Sequence, residues 1–240
     1  MSAPEDHFGP GVAERYDADY AELSTPEAVG PMVDVLAGLA GNGRALELAI
    51  GTGRVALPLA ARGIGVAGIE LSEAMVGELR AKPGGEAIDV AIGDMATTRV
   101  DGPFRLVYLV FNTINNLTTQ DAQVACFANA AAHLEPGGVF VIEVGVPQIR
   151  SVAPGERFHV FSGPGDWGID EFDFATQRFT GHYPPSQRTI GFRYVWPSEL
   201  DLMARLTGMT LRERSEDWDG APFTGESPRH VSVWTKDAQG

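Results

Sequence analysis

The sequence predicts an α/β fold: a mostly parallel seven-stranded sheet with flanking helices, an antiparallel last strand and a small inserted antiparallel sheet over the ligand face. Three observations predict it. The short run Ala45-Leu46 leads through Glu47-Leu48-Ala49-Ile50-Gly51-Thr52-Gly53-Arg54 into a helical pattern, Val55 to Ala60, so it reads as strand, glycine turn, helix. Short apolar runs and amphipathic stretches then alternate to Val144, as in a βαβ series. Between residues 146 and 196 this order gives way to turn residues and period-two segments, the mark of antiparallel strands.

Length and composition narrow the function. The 240 residues fit one domain, or one domain with an insertion, and 44% hydrophobic with 21% charged residues is ordinary for a soluble globular chain. The net charge of −14 argues against nucleic-acid phosphates and anionic membranes as partners. Only Lys82 and Lys236 are lysines, and both fall in apparent loops or tails, which argues against a Schiff base. Cys126 is the sole cysteine, flanked by Ala125, Phe127 and Ala128, and reads as a buried structural thiol. The polar amino terminus is no signal peptide, and no apolar run reaches the roughly 18 residues of a membrane span. A cytoplasmic protein is expected.

The elements follow in order. Residues 1–11, with Pro4, Gly9, Pro10 and Gly11, read as mobile or as a cover strap. Val12 to Leu23 reads as a helix carrying Tyr16 and Tyr20 on one face. Those tyrosines either pack on the domain surface or line a ligand pocket. Pro26 to Leu39 keeps helical spacing at Val29, Met32, Val33, Leu36 and Leu39. Arg44 to Ala49 is the first strand, and the helix after the glycine turn ends near Gly63, with Pro58 tolerated in its first turn. Gly65 to Glu70 is the second strand, and Ser72 caps the helix that follows. Ile88 to Met95 is the third, ending in Gly93-Asp94-Met95. Phe104 to Phe111 is the fourth, followed by Asn112-Thr113-Ile114-Asn115-Asn116. Thr119 to Leu134 is an alanine-rich helix ended by Pro136-Gly137-Gly138; a partial charge on His133 in its last turn would suit the helix dipole. Val139 to Val144 is the fifth strand. In the insert, Arg157 to Phe161, Glu171 to Tyr183 and Arg188 to Trp196 read as strands of a small sheet, and the insert carries Trp167, Phe172, Phe174, His182, Tyr183, Phe192 and Tyr194. Pro197 to Leu206 is a helix, and Thr210 to Asp217 with Arg229 to Thr235 a closing pair of strands.

The glycine turn is the ligand site. Gly51 and Gly53 can take φ > 0 and let a ligand approach the backbone, and the next helix offers unpaired N–H groups. Gly51-x-Gly53-x-x-Ala56 fits a dinucleotide fingerprint formally. Glu47 tips the balance, because a carboxylate there would repel a pyrophosphate but suits a cationic, phosphate-free ligand such as S-adenosylmethionine. Glu70, 17 residues after Gly53, is spaced to accept from ribose hydroxyls of either ligand. An aspartate at the end of the third strand, Asp94, can accept from an adenine amine, with Met95 against the ring.

Glu47-Leu-Ala-Ile-Gly-Thr-Gly-Arg54 resembles the first motif of the class I S-adenosylmethionine-dependent methyltransferases. Glu70 before Ser72-x-x-Met75 and Gly93-Asp94-Met95 look like the second and third. The resemblance covers roughly residues 12 to 236 and is nearest to actinomycete small-molecule, natural-product-type methyltransferases, whose core is Rossmann-like. It implies that Tyr16 and Tyr20 form a lid. Ala49, Gly51 and Gly53 would contact the amino-acid end of the cofactor, Glu47 would organise the loop, and Arg54 would lie near the carboxylate. Glu70 would take the ribose with Leu71 and Met75 beside it, Asp94 and Met95 the adenine, and Phe111 and Asn112 would flank the sulfonium. One departure is informative. Methyltransferases of nucleic-acid amines carry Asp/Asn-Pro-Pro-Tyr/Phe after the fourth strand, and Phe111-Asn112-Thr113-Ile114 stands here instead, which argues against a nucleobase acceptor.

The expectation is methyl transfer from S-adenosylmethionine to an oxygen or nitrogen of a small molecule, aromatic or hydrophobic, leaving S-adenosylhomocysteine. His182, then His230, then His7 are candidate bases, and Tyr20 a candidate to orient the acceptor. Asn115, Asn116, Trp167, Tyr183 and His230 are candidate acceptor contacts. No Cys/His cluster has metal spacing, so no metal is expected. Residues 1–40 read as lid helices, 41–146 with 197–240 as the cofactor-binding core, and 147–196 as a cover shaping the substrate pocket or a homodimer contact. The alternatives are an NAD(P)-dependent oxidoreductase and a non-catalytic S-adenosylmethionine binder.

Overall fold

The computed structural model describes residues 7–163 and 166–237. Residues 1–6 of the expected strap and the turn residues Pro164 and Gly165 lie outside that description. Two sheets account for the strands. Seven form one sheet: β1 (Ala45–Leu48), β2 (Val66–Glu70), β3 (Asp89–Ile92), β4 (Phe104–Leu109), β5 (Leu134–Gly145), and two later strands, Met209–Ser215 and Arg229–Lys236. The insert forms the second, as β6 (Phe158–Gly163), β7 (Asp166–Asp173), β8 (Arg178–Tyr183) and β9 (Arg188–Arg193). The two later strands are therefore β10 and β11, and the main sheet runs β10-β11-β5-β4-β1-β2-β3. The pairs from β3 to β5 are parallel, whereas β11 is antiparallel to both neighbours.

Apolar side chains explain the layers. On one face, α2 (Pro26–Ala40) and α3 (Ala56–Ala61) bury Val29, Met32, Val33, Leu36 and Leu59 against Leu106, Tyr108, Val139 and Val141. On the other, α5 (Gln120–His133) and α6 (Pro197–Leu206) bury Cys126, Phe127, Leu200 and Met203 against Leu46, Val107, Phe140 and Trp234. The Trp234 ring lies 5.5 Å from Phe127, centroid to centroid. The remaining helices are α1 (Pro10–Asp19) and α4 (Glu73–Arg80). Three helix starts are capped by a side chain: Thr25 Oγ1 accepts from Ala28 N, Ser72 Oγ from Met75 N, and Thr119 Oγ1 from Ala122 N.

Four local expectations change. The first helix stops at Asp19, and Ala21–Ser24 form a 3₁₀ turn instead, with Ser24 Oγ donating to the Tyr20 carbonyl. Pro136-Gly137-Gly138 does not separate helix from strand: β5 starts at Leu134 and carries these residues as a bulge, Phe104 facing Leu134 and Leu106 facing Val139. Arg105 Nη1 donates to the Gly137 carbonyl at 2.6 Å and holds the bulge. Glu171 to Tyr183 is two strands, β7 and β8, joined by an Asx-type turn in which Asp173 Oδ1 accepts from Ala175 N. His133 carries no helix-end charge. Burial lowers its pKa, and Nε2 accepts from Val100 N while Nδ1 bonds the Asn129 carbonyl.

The insert is anchored by one buried cation. Arg193, 4% exposed, donates to Gln123 of α5, to Glu199 of α6 at 2.6 Å and to Gln177 at 3.3 Å. Gln123 Nε2 in turn donates to the Ile114 and Arg193 carbonyls. That network ties β9 to the turn that follows β4.

Candidate active site

The carboxyl ends of β1 and β4 flank the point where the chain order of the sheet reverses, the crevice at which open α/β sheets bind ligands. Both rims are backbone turns under strain. On the β1 side Ala49 (φ 55°) and Gly51 (φ 57°) are left-handed, and on the β4 side Phe111 and Asn112 are both at φ 60°. Non-glycine residues held there cost about 1 kcal/mol or more each. Hydrogen bonds fix the second rim: Phe111 N donates to Glu143 Oε2, and Gly145 N to Asn112 Oδ1 at 2.6 Å.

Three acids line the strand ends. Glu47 is buried, and adjacent register places it against Tyr108, whose hydroxyl donates to Glu47 Oε2 at 2.9 Å. Burial pushes its pKa up to about 8. Glu70 accepts from Gly51 N at 2.8 Å and Ser72 N at 2.9 Å. Asp94 Oδ1 closes an Asx turn by accepting from Ala96 N, and the Met95 side chain is buried in the core. Met75 is buried beside the loop, its Cε 3.5 Å from where a Cβ on Gly51 would stand.

An aromatic bridge crosses above these acids. Tyr16 and Tyr20 have centroids 4.8 Å apart, Tyr20 meets Phe111 edge-on at 5.5 Å, and Phe8 abuts Tyr16 at 6.1 Å. Arg54 stacks over Phe111 at 5.0 Å and donates to the Leu23 carbonyl. Burial, with Tyr20 second, raises the Tyr16 pKa to about 12, so its phenol stays protonated. Tyr16, Tyr20, Arg54, Glu70 and Phe111 are thus brought together.

Of the remaining candidates, those of the insert lie apart from these contacts. His182 sits on β8, Nε2 3.5 Å from Glu171 and Nδ1 3.5 Å from Thr189 Oγ1, all within the insert. Trp167 is half exposed, and Tyr183 packs edge-on against Phe161. His230 is fully enclosed. Its Nδ1 faces Ser232 Oγ at 2.8 Å, Phe223 lies against the ring, and burial lowers its pKa to about 4. His230 is therefore a neutral ring without an exposed edge, and its Nε2 has no hydrogen-bond partner within the protein. The buried Asn115 Oδ1 has no hydrogen-bond partner within the protein, and Asn116 ends the same 3₁₀ turn. Leu71 is half-buried between Glu70 and Ser72. Among the described residues no group of three or more His, Cys, Asp or Glu is arranged to hold a metal ion. Likewise, no described helix is long and apolar enough to cross a membrane.

Sequence reasoning missed Tyr108, Glu143, Asp17, Thr52 and Lys82. Register and long-range packing bring Tyr108, Glu143 and Lys82 to the crevice; Thr52 stands inside the glycine loop and Asp17 inside the Tyr16–Tyr20 segment, and only the bond between them goes unsignalled along the chain.

Glu70 at the end of β2, tied to Gly51 N, suits ribose hydroxyls of a dinucleotide and of an adenosyl cofactor alike. Glu47, buried beside the loop, offers no cation to a pyrophosphate. The arrangement fits an adenosyl cofactor without phosphate.

Fold and crevice define a methyltransferase-type α/β protein, and comparison with known proteins agrees. A family profile described as a methyltransferase domain matches residues 45–138. The structure of the CcbJ methyltransferase from Streptomyces caelestis is 33% identical over 87% of this chain and 89% of that chain, with a TM-score of 0.77. The dTDP-3-amino-3,4,6-trideoxy-alpha-D-glucopyranose N,N-dimethyltransferase of Streptomyces venezuelae is 35% identical over 98 residues, 41% of this chain and 40% of that protein. A putative methyltransferase of Bacillus subtilis, YqeM, is 34% identical over 45% of this chain and 44% of its own length. The chain thus spans less than half the length of these curated relatives. CalS10 of Micromonospora echinaspora, an amino pentose methyltransferase solved with S-adenosylmethionine bound, shares the fold at 22% identity and a TM-score of 0.67, over 92% of this chain and 96% of that one. The chain belongs to the S-adenosylmethionine-dependent methyltransferases.

Proposed function

We propose that this chain transfers a methyl group from S-adenosylmethionine to a nitrogen or oxygen of a small molecule in the cytoplasm. The observation that carries this reading is the crevice: Glu70 tied to Gly51 N on one rim, and the Tyr16-Tyr20-Phe111 bridge spanning to the other. The bound cofactor supplies an electrophilic methyl on sulfur, and displacement leaves S-adenosylhomocysteine. The protein's part is alignment and water exclusion. Glu70 takes ribose hydroxyls, Asp94 and the Met95 backbone the adenine, and Ala49, Gly51 and Gly53 the amino-acid end. Leu71 and Met75 wall the ribose, and Arg54 faces the carboxylate. Glu47 underlies the loop and, when ionised, favours the ammonium. Phe111 and Asn112 border the reacting methyl, and Tyr20 orients the acceptor from above. Aligned methyl transfer to a neutral amine needs no strong base in the first step, so His182 assists proton departure only from a protonated or hydroxyl acceptor.

Residues 1–40 serve as the lid, 41–146 with 197–240 as the cofactor core and 147–196 as the acceptor cover, contributing Trp167 and Tyr183. Relatives named for amino-sugar substrates support a polar ring bearing an amine as the first acceptor class to screen. The insert has a second reading as a homodimer contact, favoured by Phe158, Val160 and Trp167, which lie exposed on one face of β6 and β7. Sedimentation of wild type and Val160→Glu decides it.

Titration calorimetry with S-adenosylhomocysteine, against NADH and NADPH, tests the function. Saturable binding of the first alone is expected, weakened about 100-fold or more by Glu70→Ala, which removes a charged partner of two hydroxyls. Dinucleotide binding would overturn the reading. Turnover of amino-sugar acceptors then separates an enzyme from a mere binder.

A further inference from the structure

Helix α1 is held by polar contacts in addition to the aromatic bridge of Tyr16 and Tyr20. Of its ten residues only Ala13 is fully buried, a narrow apolar anchor. Its polar attachments converge on the cofactor crevice. Ser72 Oγ, two residues past Glu70, donates to the Phe8 carbonyl at 2.7 Å. The Asp17 carboxylate accepts from Thr52 Oγ1 at 2.6 Å and pairs with Lys82. Lys82 Nζ also donates to the Thr52 carbonyl at 2.8 Å. Three side chains from α1, the glycine loop and the segment after α4 therefore close a triangle around Thr52, which is buried between Gly51 and Gly53.

We propose that Asp17, Thr52 and Lys82 form a latch that sets how long the cofactor, or its demethylated product, stays bound. The proposal rests on the cofactor reading above. Asp17 adjoins Tyr16 and precedes Tyr20 by three residues, so one turn of helix carries both the latch and the aromatic cover. Releasing Asp17 frees the cover and unpins the loop beneath it in one event. The Asp17–Lys82 pair is partly exposed, with side chains 42% and 28% accessible, hence individually weak and screened by salt. A weak latch suits an element that must open at every product release. All three are positioning residues.

The test follows release of S-adenosylhomocysteine by stopped-flow displacement, using wild type, Asp17→Asn, Lys82→Met, the double variant and Lys82→Arg. Each single variant should release the product about fivefold to tenfold faster, as loss of a charged hydrogen bond predicts. The double variant should be no faster than either, because the groups act as one unit. Lys82→Arg should restore most of the retention. Raising salt from about 0.05 to about 0.5 M should quicken release from wild type and leave the double variant unchanged. A second readout uses the two lysines: acetylation of the intact wild type, mapped by mass spectrometry, should slow at Lys82 when the product is bound, with Lys236 as internal reference. Normal binding with unchanged release rates, or equal Lys82 labelling with and without product, overturns the latch alone. No saturable binding by wild type overturns the cofactor reading and the latch with it.

Discussion

Glu47 carries an ionisable proton into the middle of the sheet. Its pKa in the folded chain, about 8, lies above the ordinary 4.5 because burial disfavours the charge. At Glu47 the folded state therefore holds more protons than the unfolded one between those values, and this group's contribution to stability falls as pH rises from about 4.5 to 8. Glu47→Gln should flatten that decline, by roughly 2–4 kcal/mol between the two ends, as urea unfolding at a series of pH values will measure. A ligand ammonium nearby would pull the other way and favour ionisation. S-adenosylhomocysteine binding near pH 7 should then expel part of a proton, seen as a calorimetric enthalpy that depends on buffer and loses that dependence in Glu47→Gln. Equal buffer dependence in both proteins would remove Glu47 from the ligand's surroundings. At this scale the sequence was informative where chemistry follows local spacing. Glu47, Gly51, Gly53 and Glu70 share one strand-turn series, and the structure gathers them at one rim. Tyr108 was read only as part of an apolar strand, because its role depends on standing beside Glu47 across two strands 61 residues apart.

Elements were legible where periodicity ran long and blurred where two signals overlapped. Helix α6 has its expected ends, with proline at its start. The run after α5 combined Pro136 with two glycines and looked like a terminator, but β4 has a vacant partner edge there and the chain pairs with it at once. In the insert, short polar turns were hidden inside an alternating pattern, so two strands were read as one. Arg193 shows why the insert's seating escaped the sequence: its partners Gln123, Gln177 and Glu199 come from three elements. Burial makes this contact costly to break. Arg193→Met should lower stability by about 3 kcal/mol or more, since it strands Glu199 without its cation. Adding Glu199→Leu should recover part of the loss, and chemical denaturation of both variants checks the sign. Thr119→Ala should cost about 1 kcal/mol through the lost α5 cap, with little change in product affinity.

At the scale of the molecule, the mostly parallel seven-stranded sheet and the ligand site at its glycine turn were expected from the chain, whereas the strand order and the direction from which the acceptor enters were not. That direction depends on how the insert leans on the turn after β4, a packing matter. Strand β11 shows a consequence of another kind. It pairs along β5 on one side and β10 on the other, yet a ribosome makes it after both. Until it arrives, the long apolar edge of β5 is bare, and Trp234 is missing from between Phe127 and Phe140. Nascent chains halted before Arg229 should remain protease-sensitive and prone to stick together, and should acquire resistance abruptly once Lys236 clears the exit tunnel. Closure of the main sheet thus waits for one strand.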